Sequence, residues 1–285
     1  MIGLILAHVD DFQITGDDDN PEFRAEYERL QKLYRWGTWK SDIEGYSVCG
    51  VEVSRNPDMG FRLSQEKYAK TVQPINVKRY RKSDPDSKLT SDEITACRAI
   101  LGQAQWLSTQ TMPQIAVRVS MLQAVVNSAT VKDLGRTNQL VKAIHEFSGT
   151  GITVHPYQDM AWVCWFDASW CSRADGSSQG GYVLCTTEKA ALQDKKQKFT
   201  VFTAASRKLT RKCRSSLGAE IQAASEAAEE LEYTQLAWME MLSADVQLKG
   251  DKRYEMIRTG PESVLVTDCK SLYDADTGSE SSALG

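Results

Sequence analysis

The chain is poor in the residues that mark several common protein classes. Its 285 residues include three histidines and seven cysteines, and no two cysteines form a C-x-x-C pair. That scarcity argues against a structural zinc site, and scattered thiols fit a reducing compartment. No stretch is apolar over the length needed to cross a bilayer. The opening MIGLILAHV is short, has no basic segment before it and runs into Asp10 and Asp11, so it does not read as a signal peptide. A cytoplasmic or nuclear location, with no membrane partner, is the expectation. There is no positive excess either: the formal charge is −4, so any affinity for nucleic acid must come from a local patch. What is present, 41% apolar and 25% charged residues, suits a soluble globular protein of one large or two ordinary domains.

Apolar runs at Leu4 to Val9 and Phe12 to Thr15 flank Asp10 and Asp11, the pattern of a hairpin with acids at its turn. Asn20 and Pro21 have the order of helix cap and first helical residue, and Phe23, Tyr27, Leu30 and Tyr34 supply the apolar stripe of a helix ended by Gly37. YSVCGVEVS and GFRLS read as strands joined across Asn56–Pro57–Asp58, followed by a short helix capped by Ser64 and running to Ile75. The charged stretch 77–92 is a surface connection, and Thr90 with Glu93 has capping-box spacing for the next helix. Pro113 and Asp133 start two more helices. The chain therefore divides into 1–76, a helical region at 77–150, and 151–285 beyond the boundary SGTGI at 148–152. The last part reads as α/β, with strands near 162–168, 180–186, 199–205 and 263–267 and a long helix near 214–242.

Three acids in that last part stand at similar places. Asp167 and Asp268 end apolar strands, and Glu220 lies near the start of the long helix, at the edge of its buried stripe. Hydrolysis of a phosphodiester by two divalent ions needs several carboxylates held together, with the ions about 4 Å apart. Carboxylates rather than histidines suit magnesium, a hard cation. An acid at a strand end is, taken singly, an ordinary solvated cap. The order strand-Asp, two strands, helix-Glu, strand-Asp is more specific, and both readings stay open on spacing alone.

Residues 195–214, which include the third strand and link it to the Glu220 helix, carry eight Lys or Arg and no acid. Lys195, Lys196, Lys198, Arg207, Lys208 and Arg211 form a candidate grip on a phosphate backbone beside the acids. The plainer reading is a solvated strand whose lysines discourage aggregation. Trp162, Trp165 and Trp170 could stack on bases, although packing is the simpler role. His145 and His155 read as structural or surface residues, and Cys164, Cys171 and Cys269 as packing.

Longer motifs then bring in a family. FDASW, GGYVL, SSLGAE and VTDCKSLYD, in that order, resemble the ribonuclease H segments of a copia-type retrotransposon Pol polyprotein. HVDDFQITG resembles the acidic hairpin of its reverse transcriptase. CGVEVSRNPDMGFRLSQEKYA and LGQAQWLSTQTMPQIAVRVSMLQ resemble the stretches that follow it. The resemblance implies α/β and α+β architecture: a partial reverse-transcriptase palm with a helical region, then a truncated ribonuclease H-like mixed sheet with flanking helices. It further implies that Asp167, Glu220 and Asp268 are catalytic metal ligands for Mg²⁺ and that Asp10 and Asp11 are palm acids that also bind metal. The partners implied are RNA–DNA hybrid or duplex nucleic acid and the remainder of the Pol polyprotein.

The chain departs from the family pattern in several places. His8 replaces an aromatic residue, and Ser169 stands where many relatives carry a second Asp. The fingers and an earlier palm acid would precede residue 1, and a fourth ribonuclease Asp would follow Gly285, with Asp274 and Asp276 as nearby substitutes. The expectation is a Pol fragment whose ancestral chemistry is Mg²⁺-dependent hydrolysis of RNA in hybrids, with polymerisation lost and cleavage impaired. The alternatives are a non-catalytic nucleic-acid-binding remnant and a transposon relic.

Overall fold

The computed structural model describes residues 2–9, 11–193, 195–242 and 252–277, except for the side chains at 252–253 and 275–277. It begins with an antiparallel hairpin, β1 (Gly3–His8) and β2 (Asp11–Gly16), which stands as a two-stranded sheet of its own. Helix α1 (Pro21–Leu33) follows, with the Asn20 side chain accepting from the amides of Glu22 and Phe23. That cap satisfies amides that the first helical turn leaves unpaired. The helix stops at Leu33, before the expected Gly37.

YSVCGVEVS is not one strand. It folds back as β3 (Tyr46–Val48) and β4 (Val51–Arg55) around Cys49 and Gly50, both at positive φ (49° and 73°). Gly50 adopts that backbone without steric cost, and so permits a two-residue turn. β5 (Phe61–Ser64) pairs with β4, and the short α2 (Glu66–Thr71) follows, its first amide donating to Ser64 Oγ.

The connection contains a single turn of helix, α3 (Arg79–Lys82), from which Arg81 makes two hydrogen bonds to the Glu93 carboxylate at 3.2 and 2.7 Å. Then come α4 (Ser91–Gln110), with the Thr90–Glu93 capping box formed, α5 (Ala116–Val125) and α6 (Val131–Glu146). Thr130 caps α6 and Asp133 is its third residue rather than its start. These helices and α2 bury one core that includes Leu107, Met112, Ile115, Leu140 and Ile144.

β6 (Ile152–Val154), beyond the expected boundary at 148–152, pairs with β5 and completes the sheet β3-β4-β5-β6. A second sheet has the order β10-β7-β8-β9, built from β7 (Met160–Ser169), β8 (Gln179–Glu188), β9 (Phe199–Lys208) and the short β10 (Ser263–Val266). Helix α7 (Ser216–Leu242) crosses it, and α8 (Lys252–Thr259) and α9 (Lys270–Thr277) flank β10 in sequence. Ala223, Ala227 and Leu231 of α7 pack on Trp162, Cys164, Phe166, Tyr182 and Leu184. Gly180 is needed here, because a Cβ at that position would lie 2.4 Å from Leu209 Cδ2 and 3.5 Å from the Ala223 methyl. Among the described residues, no helix is long and apolar enough to cross a membrane.

Candidate functional site

Strand alternation sets the first acid. Along β7 the side chains of Trp162, Cys164 and Phe166 are buried against α7, so Trp165 and Asp167 point to the opposite face. Asp167 is exposed and stands opposite Gly181 of β8, which in turn stands opposite Ser206 of β9. β10 runs parallel to β7, with Val266 paired to Trp165. The paired register ends at Val266, and Asp268 lies two residues beyond it, in the turn that leads into α9 at the Asp167 end of the sheet. Thr267 Oγ1 accepts from the Cys269 amide at 3.0 Å, which bends the chain into α9 at this point.

The third acid comes from the helix. The small residues Ala219, Ala223 and Ala227 let α7 lie close on β7, and Glu220 is carried in with them, 8% exposed. Its carboxylate accepts the backbone N–H of Ala168, and its Oε2 is buried without a hydrogen-bond partner. Burial first, then the charges of Asp167 and Asp268, raise the Glu220 carboxyl above its usual range, against the opposing effect of the Ala168 amide. Asp167 and Asp268 therefore act on Glu220 within electrostatic reach. Among the described residues, however, no three His, Cys, Asp or Glu side chains are gathered tightly enough to hold a metal ion. In donor chemistry the corner suits a hard divalent cation, because it offers carboxylates and one unpartnered buried oxygen. Its present spacing is open rather than that of a closed cage.

The other predicted acids lie elsewhere. Asp11 is exposed at the start of β2, opposite His8, in the separate hairpin sheet. Asp10 is outside the described residues. Asp274 is exposed on α9, and the Asp276 side chain is outside the described residues.

The basic run does not form one patch. β9 is ten residues long, so Lys195, Lys196 and Lys198 are separated from Arg207, Lys208 and Arg211 by about 30 Å. The latter group sits at the Asp167 end of the sheet, where Lys208 is paired with Gln179, while Phe199 is paired with Thr187 at the far end. Several of these cations are also engaged within the protein. Lys198 meets Asp58 at 3.6 Å, Arg207 meets Glu226 at 3.0 Å and Lys208 meets Asp175 at 2.5 Å. A sequence window counts charges along the chain; an extended strand spreads them over its whole length.

The tryptophans divide. Trp162 is fully buried between Phe202 and Trp238, whereas Trp165 and Trp170 are 41% and 47% exposed. Trp170 donates its indole N–H to the Cys213 carbonyl at 3.0 Å. Trp165 lines an open groove of about 370 Å³ between the start of α5 and the sheet, together with Asp167, Val183, Pro113 and Val117. Gln179 closes one end of that groove: its amide donates to Ser120 Oγ at 3.0 Å and Ser206 Oγ at 2.9 Å, and Arg173 donates to its carbonyl. Sequence reading missed Gln179, Ser120 and Arg173, because nothing local signals a polar contact across 59 residues. The histidines are structural in part: the His145 ring contacts the Val72 carbonyl at 2.7 Å. Cys164 and Cys185 are buried, and burial pushes both thiols up to about 12.

No protein-family model matches the chain, and no curated protein matches it. Among solved structures, a foamy viral protease-reverse transcriptase in complex with RNA/DNA hybrid superposes with a TM-score of 0.45 at 11% sequence identity. The superposition covers 93% of this chain and 36% of that one, so the chain spans little more than a third of the neighbour's length. At that level the likeness assigns no family, and the chain stands as a mixed α/β protein with its acidic corner on the second sheet.

Proposed function

We propose that the corner of Asp167, Glu220 and Asp268 hydrolyses RNA in an RNA–DNA hybrid with the help of a divalent cation, in a Pol-type chain similar to the copia elements. The buried, unpartnered Glu220 oxygen carries this reading. Leaving a charged acceptor buried and unpaired is costly, and two further carboxylates beside it raise that cost. A phosphodiester would be repelled by the same three charges. A cation resolves both conflicts at once. Asp167, Glu220 and Asp268 would hold Mg²⁺, which when bound supplies charge neutralisation and Lewis-acid polarisation of the phosphodiester. The chain's own contribution is positional. The Ala168 amide holds one end of the Glu220 carboxylate, the parallel pairing of β10 with β7 delivers Asp268 to the same end of the sheet as Asp167, and Gly181 leaves the floor beside Asp167 free of a side chain.

The open spacing of the corner favours a second reading, a binding module that keeps the surface without turnover. One experiment separates the two. Purified chain is incubated with end-labelled RNA in a hybrid over a Mg²⁺ series, with binding followed in parallel. The hydrolytic reading expects cleavage that D167N, E220Q and D268N each lower by at least 100-fold while hybrid binding persists. Binding without any Mg²⁺-dependent cleavage assigns the module instead.

A further inference from the structure

The face of the second sheet that carries Asp167 has a use beyond the corner. Its residues lie in register rows: Ala161, Thr187 and Phe199; then Val163, Cys185 and Val201; then Trp165, Val183 and Ala204; then Asp167, Gly181 and Ser206. On this face Ala161 and Val163 of β7 are buried, whereas Trp165 of β7 and Phe199 of β9 stay open. Trp165 and Phe199 are 41% and 54% exposed, and their rings meet at 6.2 Å between centroids with a 60° tilt. Large aromatic rings left open on a sheet face are unusual, and burying them would be favourable. A second cavity of about 320 Å³ adds His155, Phe199 and Val201, and it adjoins the first at the shared Pro113 and at the Trp165–Phe199 ring contact. The His155 Nδ1 is buried there without a partner. Lys195 and Lys196, just before Phe199 in sequence, make no ion pair with any described residue.

We propose that the two cavities form a trough, a track for single-stranded nucleic acid that enters at the Lys195–Lys196 end and passes over Phe199 and Trp165 toward Asp167. Two features select the occupant. Unpaired cations at one end and aromatic faces along the middle are the combination that grips a phosphate backbone while stacking its bases. The trough is also too small for a duplex. Cavities of 370 and 320 Å³ take base-sized rings, and a paired base already has its faces covered by its neighbours. His155 Nδ1, Ser206 and the Thr153 hydroxyl supply polar contacts for base edges without forming a sequence code. The direction of travel rests on the hydrolytic reading of the corner; the track itself does not.

The test is fluorescence anisotropy of a labelled 12-nucleotide single strand in EDTA, where cleavage cannot contribute. W165A and F199A should each weaken binding on the order of 10-fold. W165F should retain most of the affinity, and W170A, whose indole is held at Cys213 outside the trough, should change nothing. An abasic strand of equal length should bind wild-type chain as weakly as the normal strand binds W165A. K195Q/K196Q should reduce the slope of log affinity against log salt by about 1.4, two contacts at about 0.7 each for a single strand. Equal binding of abasic and normal strands, or wild-type affinity in W165A, would overturn the track. The abasic comparison uses wild-type chain, so it decides even if W165A fails to fold. Because this binding assay runs without metal, single-strand binding here together with no Mg²⁺-dependent cleavage in the separate hybrid assay would sink the hydrolytic reading alone.

Discussion

Replacing Glu220 with Gln should stabilise the metal-free protein at neutral pH. The wild-type carboxylate is 8% exposed, has one oxygen without a partner and faces the charges of Asp167 and Asp268. The amide keeps an oxygen for the Ala168 N–H and removes the charge. Relief of one buried unsatisfied anion is worth about 1–2 kcal/mol, and each kcal/mol raises Tm by about 2–4 °C in a protein of this size. The pH dependence follows from the sign of the shift. Glu220 in the folded chain holds its proton above the usual carboxylate range, so the folded state is favoured while both states are protonated, in acid. That advantage is lost as the pH rises through the raised folded value, and the benefit of Gln should therefore grow from about pH 4 toward neutrality. Divalent cation should reverse the ranking. Mg²⁺ at 100 times its dissociation constant adds about 2.7 kcal/mol to wild type, with little effect on E220Q. Melting curves in EDTA and in Mg²⁺, at acid and neutral pH, measure all of this. A lower Tm for E220Q at neutral pH in EDTA would refute the reasoning, because it would mean that the carboxylate is already well paired.

The chain should not extend primers: Asp11 lies in an isolated two-stranded hairpin, and template-directed incorporation by the purified protein would contradict that. Gly180→Ala should cost about 1–3 kcal/mol, because the new methyl would meet the 1%-exposed Leu209; denaturant titration would show the drop in midpoint. Thiol labelling followed by peptide mass spectrometry should modify the exposed Cys171 first. Cys164 and Cys185 should resist until the chain unfolds, since both are buried and their thiols are pushed up to about 12. Early labelling of Cys164 would mean that α7 leaves the sheet in the native state.

Local chemistry was legible in the sequence. The Asn20 cap, the Thr90–Glu93 box and the alternation around Asp10–Asp11 each depend on residues a few positions apart, and each forms in the structure except at the undescribed Asp10. The Cys49–Gly50 turn was missed because YSVCGVEVS alternates like one strand, and only positive φ at two adjacent residues shows the reversal. The strand and helix positions of Asp167, Glu220 and Asp268 could also be read from periodicity, because apolar spacing reports which face of each element is covered. Which faces meet could not. The parallel pairing of β10 with β7 joins residues about a hundred positions apart, and it delivers Asp268 to the same end of the sheet as Asp167. The basic run shows the limit from the other side. Continuous in sequence, it is divided by the rigid length of β9, because an extended backbone carries neighbouring charges apart at about 3.3 Å per residue. The sequence by itself determined which side chains carry charge and which elements bear them. Tertiary packing decided that Glu220 would be buried with an unpaired oxygen and that Trp165 would stay open beside Asp167, since burial depends on surfaces contributed by distant parts of the chain.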